Sequence, residues 1–121
     1  PNEVERLLQD AGIVRHRGKI EAVLNNARCA QALVQAEGSL AAYFWRHEPS
    51  ADALAQHRSV STSHASEAIS KDLKKRGWKF VGPTTVHAFL QAMGLVNDHA
   101  DECVTRAEVD KARVSFKVPK V

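Results

Sequence analysis

One segment constrains the fold of this chain more than any other: Gly77-Trp78-Lys79-Phe80-Val81-Gly82, followed at once by Pro83. Two glycines permit positive φ and a close backbone approach. Pro83 suits the first position of a helix, where its missing N–H would have no carbonyl partner anyway. Upstream, Ser63 or Ser66 caps a predicted helix with Ala65, Ile69 and Leu73 on its apolar side. That helix ends in Lys71, Lys74, Lys75 and Arg76, and a second helix is predicted from Pro83 to about Met93. The segment must therefore be a sharp turn between two helices. Backbone N–H groups ahead of the second helix face outward at its positive end, where a phosphate can dock. Lys79 at the tip, and Lys75 or Arg76 on the approach, add positive charge. Such contacts position a protein on DNA without reading bases. The plain alternative is an ordinary helical hairpin with Phe80 and Val81 tucked inward. In that reading the basic cluster merely complements the dipole at a helix end.

The rest of the chain reads as all-α. Few β-branched or aromatic residues alternate, and Ala, Leu, Gln, Glu, Lys and Arg are plentiful. Asn2 is predicted as an N-cap with Glu5 as its capping-box partner. Val4, Leu7, Leu8 and Ala11 follow at helical spacing, with Gly12 as the stop. A long helix is predicted over residues 18–37, with Ile20, Val23, Leu24, Ala27, Ala30 or Gln31, and Val34 as its buried stripe. Gly38 ends it, and Ser39 caps a short helix to about His47. Residues 48–61 are the least regular, with one helical turn predicted around residues 53–55. In the helix after Pro83, Val86, Phe89, Leu90 and Met93 form the core stripe, and His87 falls to the surface. Residues 108–113 make at most a helical turn, and residues 114–121 are a basic tail, flexible or packed on a neighbour. At 121 residues and 44% hydrophobic content, one small domain is the limit.

The net charge of +3 permits nucleic-acid binding without demanding it. Cys29 and Cys103 make no disulfide framework, which fits a reducing, intracellular setting. There is no apolar run of membrane-spanning length and no signal peptide. His99 and Cys103 lie four apart, so one helical turn would aim both the same way. Imidazole and thiolate suit zinc, but a structural site needs four ligands, and no convincing second pair is readable. No Ser–His–Asp or Cys–His nucleophile arrangement and no P-loop is present.

Three segments carry a resemblance to a known family: residues 4–20 (VERLLQDAGIVRHRGKI), residues 73–82 (LKKRGWKFVG) and residues 94–99 (GLVNDH). Each resembles the bacterial 3-methyladenine DNA glycosylase I family, in the same order, over roughly residues 3–103. The resemblance implies a helical domain of the helix-hairpin-helix glycosylase type, which bends double-stranded alkylated DNA and flips out the damaged base. It implies base excision repair by hydrolysis of an N-glycosidic bond, in the cytoplasm, near the nucleoid. Residues 77–82 would be the DNA-binding hairpin, with Lys75, Arg76, Gly77, Trp78, Lys79, Gly82 and Thr84 as its DNA-binding residues. His99 and Cys103 would be two of four ligands of a structural zinc. Asn97 falls where related enzymes of the endonuclease III type place a catalytic Asp, which this family lacks. The family's other two zinc ligands and its base-gripping acidic and aromatic residues belong to an N-terminal portion not found here. Residues 1–104 thus resemble part of the glycosylase domain, and residues 105–121 a tail without counterpart. The catalytic residues are expected outside this chain, so it should be weakly active or inactive alone. It could self-associate through the face the missing portion would cover. The alternative is a non-catalytic helix-hairpin-helix DNA-binding module.

Overall fold

The computed structural model describes residues 2–51, 53 and 60–120. Among them no strand is found, and the elements in order are α1 (Asn2–Leu7), α2 (Arg17–Glu37), α3 (Leu40–Trp45), α4 (His64–Lys75), α5 (Pro83–Ala92) and α6 (Val104–Ser115). Of the turn expected at residues 53–55, residues 54 and 55 fall outside the described residues.

Local capping chemistry sets most helix ends. The Ser39 side chain accepts the Ala42 N–H at the start of α3. Ser63 and Ser66 form a reciprocal box at α4: Ser63 Oγ accepts from Ser66 N–H at 3.1 Å, and Ser66 Oγ accepts from Ser63 N–H at 2.8 Å. Gly38 closes α2 at φ 90°, donating its N–H to Val34 O. Two ends differ from expectation. Asn2 is already helical, and α1 stops at Leu7 rather than Gly12. Asp10 Oδ1 takes the Gly12 N–H at 2.8 Å, and the bonds from Gln9 to Arg6 and from Asp10 to Leu7 tighten the last turn. At α2 the cap is His16, whose Nδ1 accepts the Lys19 N–H, so the helix begins at Arg17.

α4 packs on α5, α2 on α3, and α1 on α2. The core gathers Leu33 from α2, Tyr43 from α3, Ile69 and Leu73 from α4, Val81 from the turn, Val86 and Leu90 from α5, and Leu95 and Val96 beyond it. Leu40, Phe44, Trp45, Ala65 and Trp78 pack around that cluster. The expected stripe of α2 is largely displaced. Ile20 is buried as expected, but so are Ala22 and Leu33, while Val23 is 67% exposed and Val34 is also exposed. Phe89 of α5 and Met93 just after it are exposed. Both helices are apolar on more than one side, so periodicity alone cannot say which side meets a neighbour.

His87 is a clear departure. It is 2% exposed, not on the surface, and neither ring nitrogen has a partner among the described residues. The C-terminal region also differs from the expected tail. Residues 104–115 form α6, anchored by its side chains. Phe116 lies 4.8 Å from the Trp45 ring, centroid to centroid. Arg113 pairs with Glu48 at 2.6 Å and donates to the Gly94 carbonyl. These partners are more than a dozen residues distant in the chain, beyond the reach of a local pattern.

Candidate nucleic-acid interface

The turn between α4 and α5 starts at Gly77, whose φ of 92° an L-residue with a Cβ rarely adopts. Trp78 N–H returns to Leu73 O, and Gly77 N–H to Lys74 O, which closes the end of α4. The second bend is at Phe80, φ 56°, not at Gly82, which has an ordinary φ of −63°. Phe80 is 61% exposed, whereas Val81 is buried in the core. The inward-facing alternative therefore holds for Val81 and fails for Phe80.

α5 has no side-chain cap. Its first helical bond runs from Val86 N–H to Gly82 O, so the Thr84 and Thr85 amides precede the helical ladder and point from its positive end. Lys79, Thr84 and Thr85 are exposed around this end, and Lys75 is exposed on the approach. Beside the turn, Lys19, Ala22 and Val23 of α2 and Phe80, Gly82 and Thr85 border a hollow of about 480 Å³. The Lys79 amide itself is not open to a ligand. It donates to Asn26 Oδ1 at 2.8 Å, and Asn26 Nδ2 donates to Lys79 O at 2.8 Å. Asn25 Nδ2 donates to Gly77 O at 2.8 Å. No periodic signal marks these two asparagines, because polar residues on a helix ordinarily face solvent.

Two expected DNA residues are drawn elsewhere. Trp78 packs against the core, and its buried indole N–H has no partner among the described residues. The large ring covers the apolar junction of the two helices, which the small turn leaves open. Arg76 Nε meets Asp72 at 2.9 Å, and its Nη2 lies 3.8 Å from Glu37. Arg76 also stacks over the Tyr43 ring, as does Arg46. Tyr43 donates its hydroxyl to Asp72. Burial first, and then the Asp72 carboxylate, push that hydroxyl well above its ordinary 10.0, so it stays a donor.

The Tyr43 hydrogen bond, followed by Arg76, holds the Asp72 carboxyl below its ordinary 3.8. A depressed folded pKa stabilises above the unfolded value and is lost as pH falls through the folded one. Unfolding free energy is therefore expected to hold steady above about pH 5 and to decline as the pH drops below the ordinary Asp value. In Asp72→Asn that part of the decline should vanish; denaturant titrations across pH measure it. An identical acid slope in the two proteins would contradict the linkage.

His99 and Cys103 are not on one helical turn. His99 lies in irregular backbone, and Cys103 is the N-cap of α6. Asn97, between the core and α6, donates through Nδ2 to Arg106 O at 2.9 Å and to Asp110 Oδ1 at 2.8 Å. Its Oδ1 accepts the His99 N–H. Arg106 in turn donates to the carbonyls of Asn97 and His99. The loop is thus shaped by its own polar contacts. Among the described residues, no group of three or more His, Cys, Asp or Glu side chains is placed to hold a metal. No helix of the described residues is long and apolar enough to cross a membrane.

The family described as methyladenine glycosylase matches residues 1–107. The DNA-3-methyladenine glycosylase 1 of Escherichia coli (strain K12) is 48% identical over 105 residues, which is 84% of this chain and 56% of that protein. The DNA-3-methyladenine glycosylase of Haemophilus influenzae is 39% identical over 105 residues, 84% of this chain and 57% of that protein. A crystal structure of a 3-methyladenine DNA glycosylase I superposes with a TM-score of 0.72 at 42% identity, covering 85% of this chain and 59% of that one. The chain spans somewhat over half the length of these relatives. A match over residues 1–107 takes in the α4–α5 turn and every helix but the end of α6, and the chain belongs to the methyladenine glycosylase family.

Proposed function

We propose that this chain is the DNA-gripping part of a DNA-3-methyladenine glycosylase, a base excision repair enzyme that hydrolyses the N-glycosidic bond of 3-methyladenine in double-stranded alkylated DNA. The observation that carries the reading is the α4–α5 turn. It acts as a helix-hairpin-helix element, presenting the uncapped start of α5 beside the exposed Lys75 and Lys79. One phosphate on that end anchors the duplex through charge and backbone N–H groups.

The reaction places little demand on acid–base groups. Adenine alkylated at N3 is cationic, so the glycosidic electron pair returns to the base as it leaves neutral. Water adds to the sugar carbon and releases a proton. Less transition-state charge needs stabilising than for a neutral base, and a pocket that binds the flipped base and admits water supplies much of the effect. Asn97 fits this chemistry, since its amide is spent on α6 and it takes no part in the reaction. His99 and Cys103 supply two of the four donors of a structural zinc. An imidazole and a thiolate on a loop shaped by Arg106 suit half of a tetrahedral site. When bound, the metal would tie this loop to the rest of the enzyme. The enzyme works in the cytoplasm. The exposed apolar Val23 and Val34 on α2 support self-association of the chain alone.

A second reading, a non-catalytic DNA-binding module, is favoured by one observation. The complete turn, with the uncapped start of α5 and the exposed Lys75 and Lys79, lies within this chain. Both readings require the turn to bind DNA. Lys79→Ala and Lys75→Ala should each weaken binding to a double-stranded oligonucleotide and each reduce the slope of log affinity against log salt by about 1. Wild-type affinity in both variants would remove DNA binding from the turn. Release of 3-methyladenine by the chain extended to the length of its relatives, measured beside the chain alone, separates enzyme from module.

A further inference from the structure

The turn bends at two positive-φ residues, Gly77 (φ 92°) and Phe80 (φ 56°). Glycine takes such a conformation freely; phenylalanine does so only where the surroundings over-determine it. Packing of the Phe80 ring is a weak constraint, because that ring is largely exposed. The restraint lies one residue earlier. The Asn26 side chain pairs with both backbone polar groups of Lys79, at 2.8 Å each, from 53 positions away. The neighbouring Asn25 holds the Gly77 carbonyl. Two adjacent amides on α2 thus grip the two ends of the three-residue stretch that precedes Phe80.

We propose that the Asn25–Asn26 pair positions the turn for DNA binding, by fixing the Lys79 backbone so that the Phe80 bend aims the Lys79 ammonium and the α5 start at one phosphate. The pair touches no DNA; it acts through the backbone it holds. Without the clamp, Phe80 relaxes toward negative φ, and Lys79 and the amides of Thr84 and Thr85 no longer converge. The inference rests on the reading that the turn grips DNA.

The test uses the chain on the same double-stranded oligonucleotide. Losing two hydrogen bonds that exist only in the clamped form, Asn26→Ala should bind roughly tenfold more weakly. Its salt slope should match wild type, because no charge is removed. Asn25→Ala, which loses a single bond to the turn, should bind about threefold more weakly. Hydrogen exchange at the Lys79 amide should quicken in Asn26→Ala while core amides stay protected. In a Phe80→Gly background, where the bend carries no Cβ strain, the loss from Asn26→Ala should shrink. Wild-type affinity in both Asn variants would overturn the proposal. So would an affinity loss that tracks global unfolding and is undiminished by Phe80→Gly. Unchanged affinity in Lys75→Ala and Lys79→Ala would instead remove the DNA-gripping reading itself, with the proposal falling as its consequence.

Discussion

Leu90→Ala is expected to lower the unfolding free energy by about 2–5 kcal/mol. Leu90 is 0% exposed and sits in the cluster with Ile69, Leu73, Val86 and Leu95, where α4 and α5 meet. Truncation removes the transfer energy of the buried side-chain atoms and leaves a cavity that well-packed neighbours refill only in part. For a domain of ordinary stability, about 5–15 kcal/mol, that is a large share of the whole. The effect reaches the proposed DNA face too, because α5 carries the uncapped end proposed to meet a phosphate. Phe89→Ala, one residue away on a side that is 39% exposed although its ring meets Phe44, should cost less. Denaturant titration reads both, as a shift of midpoint at constant slope. Equal shifts for the two variants would mean that the buried face of α5 is wrongly assigned.

Asn97→Asp is expected to destabilise by about 3 kcal/mol at neutral pH and to add no base-releasing activity. Asn97 is 6% exposed. Its Nδ2 satisfies the Arg106 carbonyl and the Asp110 carboxylate at once. A carboxylate there loses both donated bonds and faces a like charge on Asp110. The Arg106 guanidinium offers limited relief, since it is held on backbone carbonyls and on Asp101. Burial and the neighbouring carboxylate would raise the new carboxyl's folded pKa above its unfolded value of about 4. The penalty is then full above the raised folded pKa and shrinks as pH falls toward the unfolded one. Titrations at acidic and neutral pH should show the variant recovering part of its deficit in acid. A variant as stable as wild type at neutral pH, with new release of 3-methyladenine, would show instead that Asn97 occupies a reactive position.

These two residues mark where the chain was legible and where it was not. Leu90 was readable from spacing within α5, as were the Ser39 cap, a serine cap at 63 or 66, the Gly38 stop and the role of Pro83. Each depends on groups within a turn of helix. Asn97 was legible only as a position where related enzymes place an Asp; that its amide bonds α6 depends on a helix the local pattern barely announced. Val23, Val34, Phe89 and Met93 obey helical periodicity as well as their buried neighbours do. Their exposure follows from where the other helices lie. His87 is hidden for the same reason, against its off-stripe position.

The α4–α5 turn shows the division most plainly. Residues 73–83 by themselves determined that a basic helix ends, turns at Gly77 and restarts at Pro83, because capping, proline geometry and glycine freedom act within a few bonds. The sequence likewise determined the family, through three segments kept in order. Tertiary structure decided which residues of the turn stay exposed and which are drawn inward. Arg76 is drawn to Asp72, Glu37 and Tyr43, Trp78 turns to the core, and Phe80 rather than Gly82 takes the second bend. The Lys79 backbone beside that bend is paired with Asn26, 53 residues earlier. A hydrogen bond over that separation exists only once α2 has packed beside the turn, and no local pattern records which helices come to lie together.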